Sequence, residues 1–332
     1  MSVTSLEIYF FLFIAILVHI LVYLFVKNLK SKEKSLYGKH VVVTGGSSGI
    51  GLNIATECAK RGANVTIIAR NENTLNAAIS LLEIIRRVPE QKFQKVSLDI
   101  SKDYKTVEKV FEKLESDVGP IYMLVNCAGM AICGVFEEVS VEDAHKLMDV
   151  NYFGTYNCTR CVLPKMKAAK EGVIVITASQ AALMGIYGYG CYAAAKFALR
   201  GLAETIAMES KHLGVTVTLA MPADTNTPGF ENEEKSKPKE TKIISGSGGL
   251  AKPEDVASQI VKDALNGSFF SILGTESWIL SLLCCGMAPW GGIGLNIFQA
   301  IVMGPLRLIG CAIQYNFSRI IRQCALESEK QK

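Results

Sequence analysis

Ser179, Tyr192 and Lys196 are the residues of this chain whose types and spacing could move a proton. Tyr192 and Lys196 stand four positions apart, one helical turn, so on a helix they share a face. A phenol titrates near about 10 and exchanges protons poorly at neutral pH. An ammonium beside it favours the phenolate, and the tyrosine becomes a usable general acid or base. The spacing therefore predicts a lowered Tyr192 pKa. Ser179 joins the pair only if the loop between them folds back, and Gly185, Gly188 and Gly190 permit tight turns there. A Tyr-x-x-x-Lys pair arises often by chance, so the assignment depends on what precedes it.

Upstream, His40–Thr44 reads as a short buried strand. Gly45, Gly46, Ser47, Ser48, Gly49, Ile50 and Gly51 follow and lead into a helical stretch ending near Arg61. Strand, glycine-rich turn and helix in that order make a dinucleotide site, with the glycines letting backbone approach a pyrophosphate at the helix N-terminus. A second strand, Val65–Ala69, ends at Arg70. An acidic residue there would hold the ribose 2′-hydroxyl of NAD, whereas a cation suits a 2′-phosphate, so NADPH/NADP+ is expected. Glu72–Arg87 reads as helix. Further strands are expected at Val96–Asp99, Met123–Asn126, Val173–Ile176, Val215–Met221 and near 269–273. Alternating strands and helices predict an α/β fold, a doubly wound parallel sheet of Rossmann type with right-handed crossovers.

Composition narrows the function classes. A net charge of +4 without basic clusters interleaved with aromatics gives no sign of nucleic-acid binding. Ten cysteines without a framework of spacings indicate free thiols in a reducing compartment. Cys158 and Cys161 form a lone C-x-x-C in a helical pattern, the four histidines are isolated, and no metal site is expected. Ile8–Val26 is nearly unbroken apolar sequence, long enough for a transmembrane helix. Lys27, Lys30, Lys32 and Lys34 follow it, which predicts that the rest of the chain faces the cytosol. The expected organisation is a membrane anchor and basic linker over 1–37, a catalytic domain over 38–275 and an apolar C-terminal extension over 276–332. The apolar runs of that extension are interrupted by Pro289, Asn296, Gln299 and Arg307. An interfacial hairpin, a weak pair of spans and a buried oligomer surface are all open for it, with membrane association favoured. Glu231–Gly249 reads as a charged, then glycine-rich mobile loop, with Lys237 exposed in it.

Together, Thr44-Gly45-x-x-x-Gly49-x-Gly51, Asn126-x-Ala128-Gly129, Asn151, Ser179 and Tyr192-x-x-x-Lys196 resemble the short-chain dehydrogenase/reductase family, in its order and spacing, over about 38–270. The resemblance implies that Ser179 orients the substrate oxygen and Tyr192 transfers the proton. It implies that Lys196 holds the nicotinamide ribose and that Asn151 supports a water-linked proton relay. It further implies cofactor contacts from Gly45, Ser47, Ser48, Gly49, Ile50, Gly51, Arg70, Asp99 and Asn126. Tyr192, Lys196, Pro222, Thr225 and Thr227 complete that set, and the loop after the sixth strand is implied to be a lid. Cys127 departs from the pattern, where many members carry a second asparagine or another small residue. Thr227-Pro-Gly-Phe230 and Cys285-Gly-Met-Ala-Pro289 narrow the resemblance to members that reduce a long-chain lipid ketone at the endoplasmic reticulum membrane. The catalytic residues alone leave a steroid, a retinoid or a 3-ketoacyl thioester open as substrate, and a homo-oligomer open as assembly. A non-catalytic membrane scaffold is the reading from another class, and the complete Ser, Tyr, Lys and Asn set speaks against it.

Overall fold

The structure, a computed structural model, describes residues 33–246, 249–289 and 292–330. The expected span Ile8–Val26 lies outside the described residues. Seven strands form one parallel sheet in the order β3-β2-β1-β4-β5-β6-β7. They are β1 (His40–Thr44), β2 (Asn64–Ala69), β3 (Phe93–Ser97), β4 (Ile121–Asn126), β5 (Gly172–Thr177), β6 (Val215–Ala220) and β7 (Phe270–Ser271). Between them run α1 (Gly49–Lys60), α2 (Glu72–Ile84), α3 (Tyr104–Val118), α4 (Val141–Met148), α5 (Gly154–Ala169), α6 (Gly190–Ser210), α7 (Pro228–Glu234), α8 (Lys239–Gly246) and α9 (Pro253–Leu265). Two more helices, α10 (Thr275–Leu283) and α11 (Ile293–Lys330), complete the order.

The central strands are Val- and Ile-rich because both faces of the sheet are covered. Successive side chains point to opposite faces, so each strand feeds two cores. Val41, Val43, Met123, Val125, Val173 and Val175 pack with α1, α2 and α9. Val42, Leu124, Ile174, Ile176, Val217 and Leu219 pack with α3, α5 and α6. Register aligns the carboxyl ends: Thr44 lies opposite Asn126, Asn126 opposite Ile176, and Thr177 opposite Ala220. Everything that follows these four strands therefore emerges along one edge of the sheet.

Three sequence expectations change. The third strand is Phe93–Ser97, not Val96–Asp99. It is the edge of the sheet, half-buried, and carries Gln94 and Lys95, so its apolar signal is weak. The C-terminal extension is less broken than expected: the segment with Pro289 does separate α10 from α11, but Asn296, Gln299 and Arg307 fall within one continuous helix. Pro305 sits inside α11, a single helix of 38 residues, and α11 is long and apolar enough to cross a membrane. The segment after β6 holds two helices, α7 and α8, because Thr227 caps the first by accepting from Phe230 N at 3.1 Å and Pro228 opens it.

His40 is 3% exposed, with Nδ1 2.8 Å from Gly119 O and Nε2 3.0 Å from Thr66 Oγ1. Both contacts suit the neutral ring, donating to the carbonyl and accepting from the hydroxyl. Burial holds its pKa below the ordinary histidine value, against the Gly119 contact. The unfolded chain thus binds the proton first as pH falls below about 6.5, and stability is lost there at up to about 1.4 kcal/mol per pH unit. We expect denaturant unfolding at mildly acidic pH to show that loss, and His40→Gln to flatten it. An equal acid sensitivity in the variant would place its origin elsewhere.

Candidate active site

The glycine turn is compact for steric reasons. Gly45 has φ +67°, and a Cβ on it would stand 2.8 Å from Ala128 Cα. A Cβ on Gly51 would collide with Gly45 O. Thr44 Oγ1 accepts from Cys127 N at 3.1 Å and Ala128 N at 3.2 Å, which stitches the end of β1 to the end of β4. Ser48, the N-cap of α1, makes no side-chain cap bond, and no acidic residue lies in the first turn. The uncapped amides and the positive helix end suit a pyrophosphate.

A cavity of about 1580 Å³ opens over this edge of the sheet. Of the expected site residues, Gly45, Ser47, Ser48, Gly49, Ile50, Gly51, Arg70, Asp99, Ser179, Tyr192, Lys196, Pro222, Thr225 and Thr227 line it. Asn126 and Asn151 do not; both are buried beneath it. Thr74 was not expected from sequence; its Oγ1 donates to Ser47 Oγ at 3.1 Å and, with exposed Arg70, it walls the cavity end. Among the described residues the Arg70 guanidinium has no hydrogen bond or ion pair, although its charge helps lower the Asp99 pKa. Burial raises that pKa, and two hydrogen bonds from Ser101 outweigh it.

The candidate proton-handling residues converge from three elements. Ser179 follows β5, its Oγ accepting from Ala181 N at 3.2 Å. Tyr192 and Lys196 lie on the first turns of α6. Asn151 sits in a π-helical turn, Asp149–Phe153, between α4 and α5. Such turns concentrate at functional sites. Its Nδ2 donates to Met130 O at 3.0 Å and Leu147 O at 2.9 Å, and its Oδ1 accepts from Met130 N at 3.2 Å. Gly129 makes room for it: a Cβ there would stand 2.8 Å from Asn151 Oδ1 and 3.5 Å from Lys196 Nζ.

The titration of the pair differs from the expectation. Lys196 is 5% exposed, and its ammonium donates to Thr177 O at 3.1 Å. Burial lowers its pKa to about 8, with Cys127 and Glu233 pulling the other way. Its Nζ lies 5.5 Å from the centre of the Tyr192 ring. Tyr192 is not lowered but raised, first by burial and then by the negative charge of Glu233, with Ser179 hydrogen bonding only partly offsetting them. The tyrosine therefore holds its proton at neutral pH.

Glu233 belongs to a cluster that the sequence concealed. Lys237, expected to be exposed, has a fully buried side chain. Its Nζ lies 3.2 Å from Asp224, 3.1 Å from Glu233 and 2.6 Å from Glu234, and 4.3 Å above the Phe230 ring. Tyr189 OH donates to Glu233. Asp224 and Glu233 both line the cavity. Lys237 thus folds α7 down over the site. α10 and α11 close the opposite side with Leu283, Leu306, Ile309, Ile313 and Phe317. Arg200 of α6 donates to Cys284 O at 2.9 Å and Cys285 O at 2.8 Å, holding this extension to the tyrosine helix.

The short chain dehydrogenase family model matches residues 39–238. The chain is 44% identical over 313 residues to a 3-dehydrosphinganine reductase of Danio rerio, covering 94% of each chain. It is 44% identical over 311 residues to a 3-ketodihydrosphingosine reductase of Bos taurus, again covering 94% of each. A 3-dehydrosphinganine reductase of Arabidopsis thaliana is 35% identical over 86% of each chain. Among solved structures, levodione reductase superposes with a TM-score of 0.66 at 23% identity, over 73% of this chain and 99% of that one. This last likeness concerns the fold.

Removing the cation from the α7 cluster leaves carboxylates facing one another. Breaking a buried pair costs about 3–5 kcal/mol, and partial exposure of the acids reduces this to about 1–3. We expect Lys237→Met to lower Tm by several degrees and to raise protease sensitivity within 224–246. An unchanged Tm would mean that the cluster does not hold α7.

Proposed function

The chain belongs to the short chain dehydrogenase family, and from that premise we propose that it reduces 3-ketodihydrosphingosine to dihydrosphingosine with NADPH, a step of sphingolipid synthesis. The carrying observation is one cleft in which Ser179, Tyr192 and Lys196 stand between a nucleotide-fitting glycine turn and an apolar wall. The curated relatives named above support the substrate, and Arg70, without an acidic residue at the end of β2, supports NADPH over NADH.

The residues have separate tasks. Gly45, Gly49 and Gly51 with the uncapped start of α1 would take the pyrophosphate. Ser47, Arg70 and Thr74 would take the 2′-phosphate, Asp99 the adenine, and Pro222, Thr225 and Thr227 the nicotinamide side. Bound reduced nicotinamide supplies the hydride. Tyr192, kept protonated by its surroundings, gives its hydroxyl proton to the developing alkoxide oxygen. Ser179 donates a hydrogen bond to that same oxygen. Lys196 offers a charge that becomes labile near pH 8 and would hold the ribose and resupply the tyrosine. Asn151 fixes Met130 and Leu147 backbone beside that route. Asn126, buried, donates from Nδ2 to Thr159 Oγ1 at 3.0 Å and keeps Oδ1 unpaired at the end of β4.

Membrane attachment belongs to the same reading. The substrate partitions into lipid, and α11 exposes Ile297, Ile301, Leu308 and Tyr315. We assign that face to the endoplasmic reticulum membrane, with Ile8–Val26 as a further anchor and the lysines after it keeping the active site in the cytosol.

Cofactor oxidation by purified full-length protein with 3-ketodihydrosphingosine tests the activity, and no oxidation with it would sink the reading. Tyr192→Phe removes only the phenolic oxygen and its proton. We expect turnover to fall by at least about 10²-fold, the usual worth of a positioned acid, with NADPH binding retained. Wild-type turnover in this variant would remove Tyr192 from the chemistry. Arg70→Ala should weaken NADPH about tenfold to a hundredfold, from charge-assisted bonds worth about 1.5–3 kcal/mol, and leave NADH nearly unchanged. Equal losses for both nucleotides would assign Arg70 to the fold.

A further inference from the structure

Pockets for one ligand usually run about 300–1,000 Å³. At about 1580 Å³ this cleft has room beyond a nucleotide. The surplus lies against α11, where Leu306, Ile309, Gly310, Ile313 and Phe317 line it. Their spacing puts them on one face of the helix. At 1.5 Å per residue that face runs about 16 Å from Leu306 to Phe317. Gly310 is the close point: a Cβ on it would stand 2.8 Å from Leu283 Cδ2, so α10 bounds the groove on one side, while Ile309 and Ile313 remain 52% and 45% exposed along its open length. The wall is pinned at both ends. Trp278 of α10 stacks on Phe298 at 6.0 Å, and Lys239 of α8 pairs with Glu327 at 2.6 Å. Leu308, 74% exposed, lies about 200° round the helix from Leu306 and faces away from the groove.

We propose that the inner face of α11, bounded by Leu283, is the subsite for the alkyl chain of the substrate and sets its chain-length preference. The inference rests on the reading of the substrate as a long-chain ketone. The head of such a molecule must reach Tyr192 and Ser179, and its tail then has this apolar wall within the same cavity. Each methylene laid on the wall leaves water, which is worth about fourfold in affinity.

The test compares kcat/KM for a long-chain and a short-chain 2-amino-3-ketone, with full-length protein in identical mixed micelles. The measured quantity is the long-to-short ratio. Micelle partitioning of the ketones is the same for every variant and cancels between them. Ile313→Glu puts a carboxylate into the groove and should lower the ratio by at least about tenfold, the worth of roughly two methylenes. Leu308→Glu, on the face assigned to the membrane, should weaken turnover of both ketones alike and keep their ratio within about twofold of wild type. An unchanged ratio in Ile313→Glu, or an equal fall of the ratio in Leu308→Glu, would overturn the subsite. Wild-type protein that reduces neither ketone would instead defeat the substrate reading. Photolabelling needs no variant: a ketone with a diazirine at the chain terminus should mark the peptide 306–317 or Leu283 in wild-type protein. Label found only elsewhere would overturn the subsite even if Ile313→Glu failed to fold.

Discussion

The close approach of two backbone segments at the ends of β1 and β4 is the constraint on which this molecule depends. Sheet order reverses between these strands, and the crevice outside such a point is where open α/β sheets take ligands. Here it is held open and narrow at once. Thr44, fully buried, spends its hydroxyl on the amides of Cys127 and Ala128. Gly45 presses against Ala128 with no space for a side chain. Because the strands are parallel and in register, Ser179 and Pro222 leave the sheet along this same edge. The nucleotide platform and the proton-handling residues are thus two outcomes of one register.

Burial then sets the chemistry. Removing an ammonium and a phenol from water disfavours the charged form of each. Lys196 is moved towards neutrality and Tyr192 away from ionisation, so the two are pushed apart rather than together. Groups separated in this way fall into distinct roles. A tyrosine that retains its proton is suited to the reductive direction, where an oxygen gains electron density and needs that proton. Glu233 strengthens the effect on Tyr192 and opposes it on Lys196. Its position depends on Lys237 and Tyr189, so α7 also tunes the titration of Tyr192 and Lys196.

Much of this was legible because it is local. The glycine turn is contiguous, Tyr192 and Lys196 are one helical turn apart, and central strands such as Val173–Ile176 are apolar throughout. What sequence concealed is either long-range or cooperative. Thr74 meets Ser47 across twenty-seven positions, and Gly129 is small because Asn151 comes back to it. Lys237 sits in a charged stretch that reads as solvated, and it is buried because its neighbours' carboxylates converge on it. The third strand lost its signal to edge exposure. Asn296, Gln299 and Arg307 interrupt an apolar run on paper, yet all three lie inside α11, because polar residues spaced along a helix do not end it. The lowered Tyr192 pKa followed from spacing alone, which carries no information about burial.

The cavity has unlike ends. Ser47, Arg70 and Thr74 form one, and the alkyl side chains of α10 and α11 form the other, with Tyr192 and Ser179 between them. A reagent dissolved in water and one dissolved in oil can therefore arrive from opposite directions and meet without either changing solvent. In chemical engineering this is phase-transfer catalysis, usually achieved by shuttling an ion across an interface. Here the interface is carried inside the protein, and Tyr192, the proton donor of the proposed reaction, is fixed on it. Arg200 braces that boundary, since it joins the tyrosine helix to the oily wall through two backbone carbonyls.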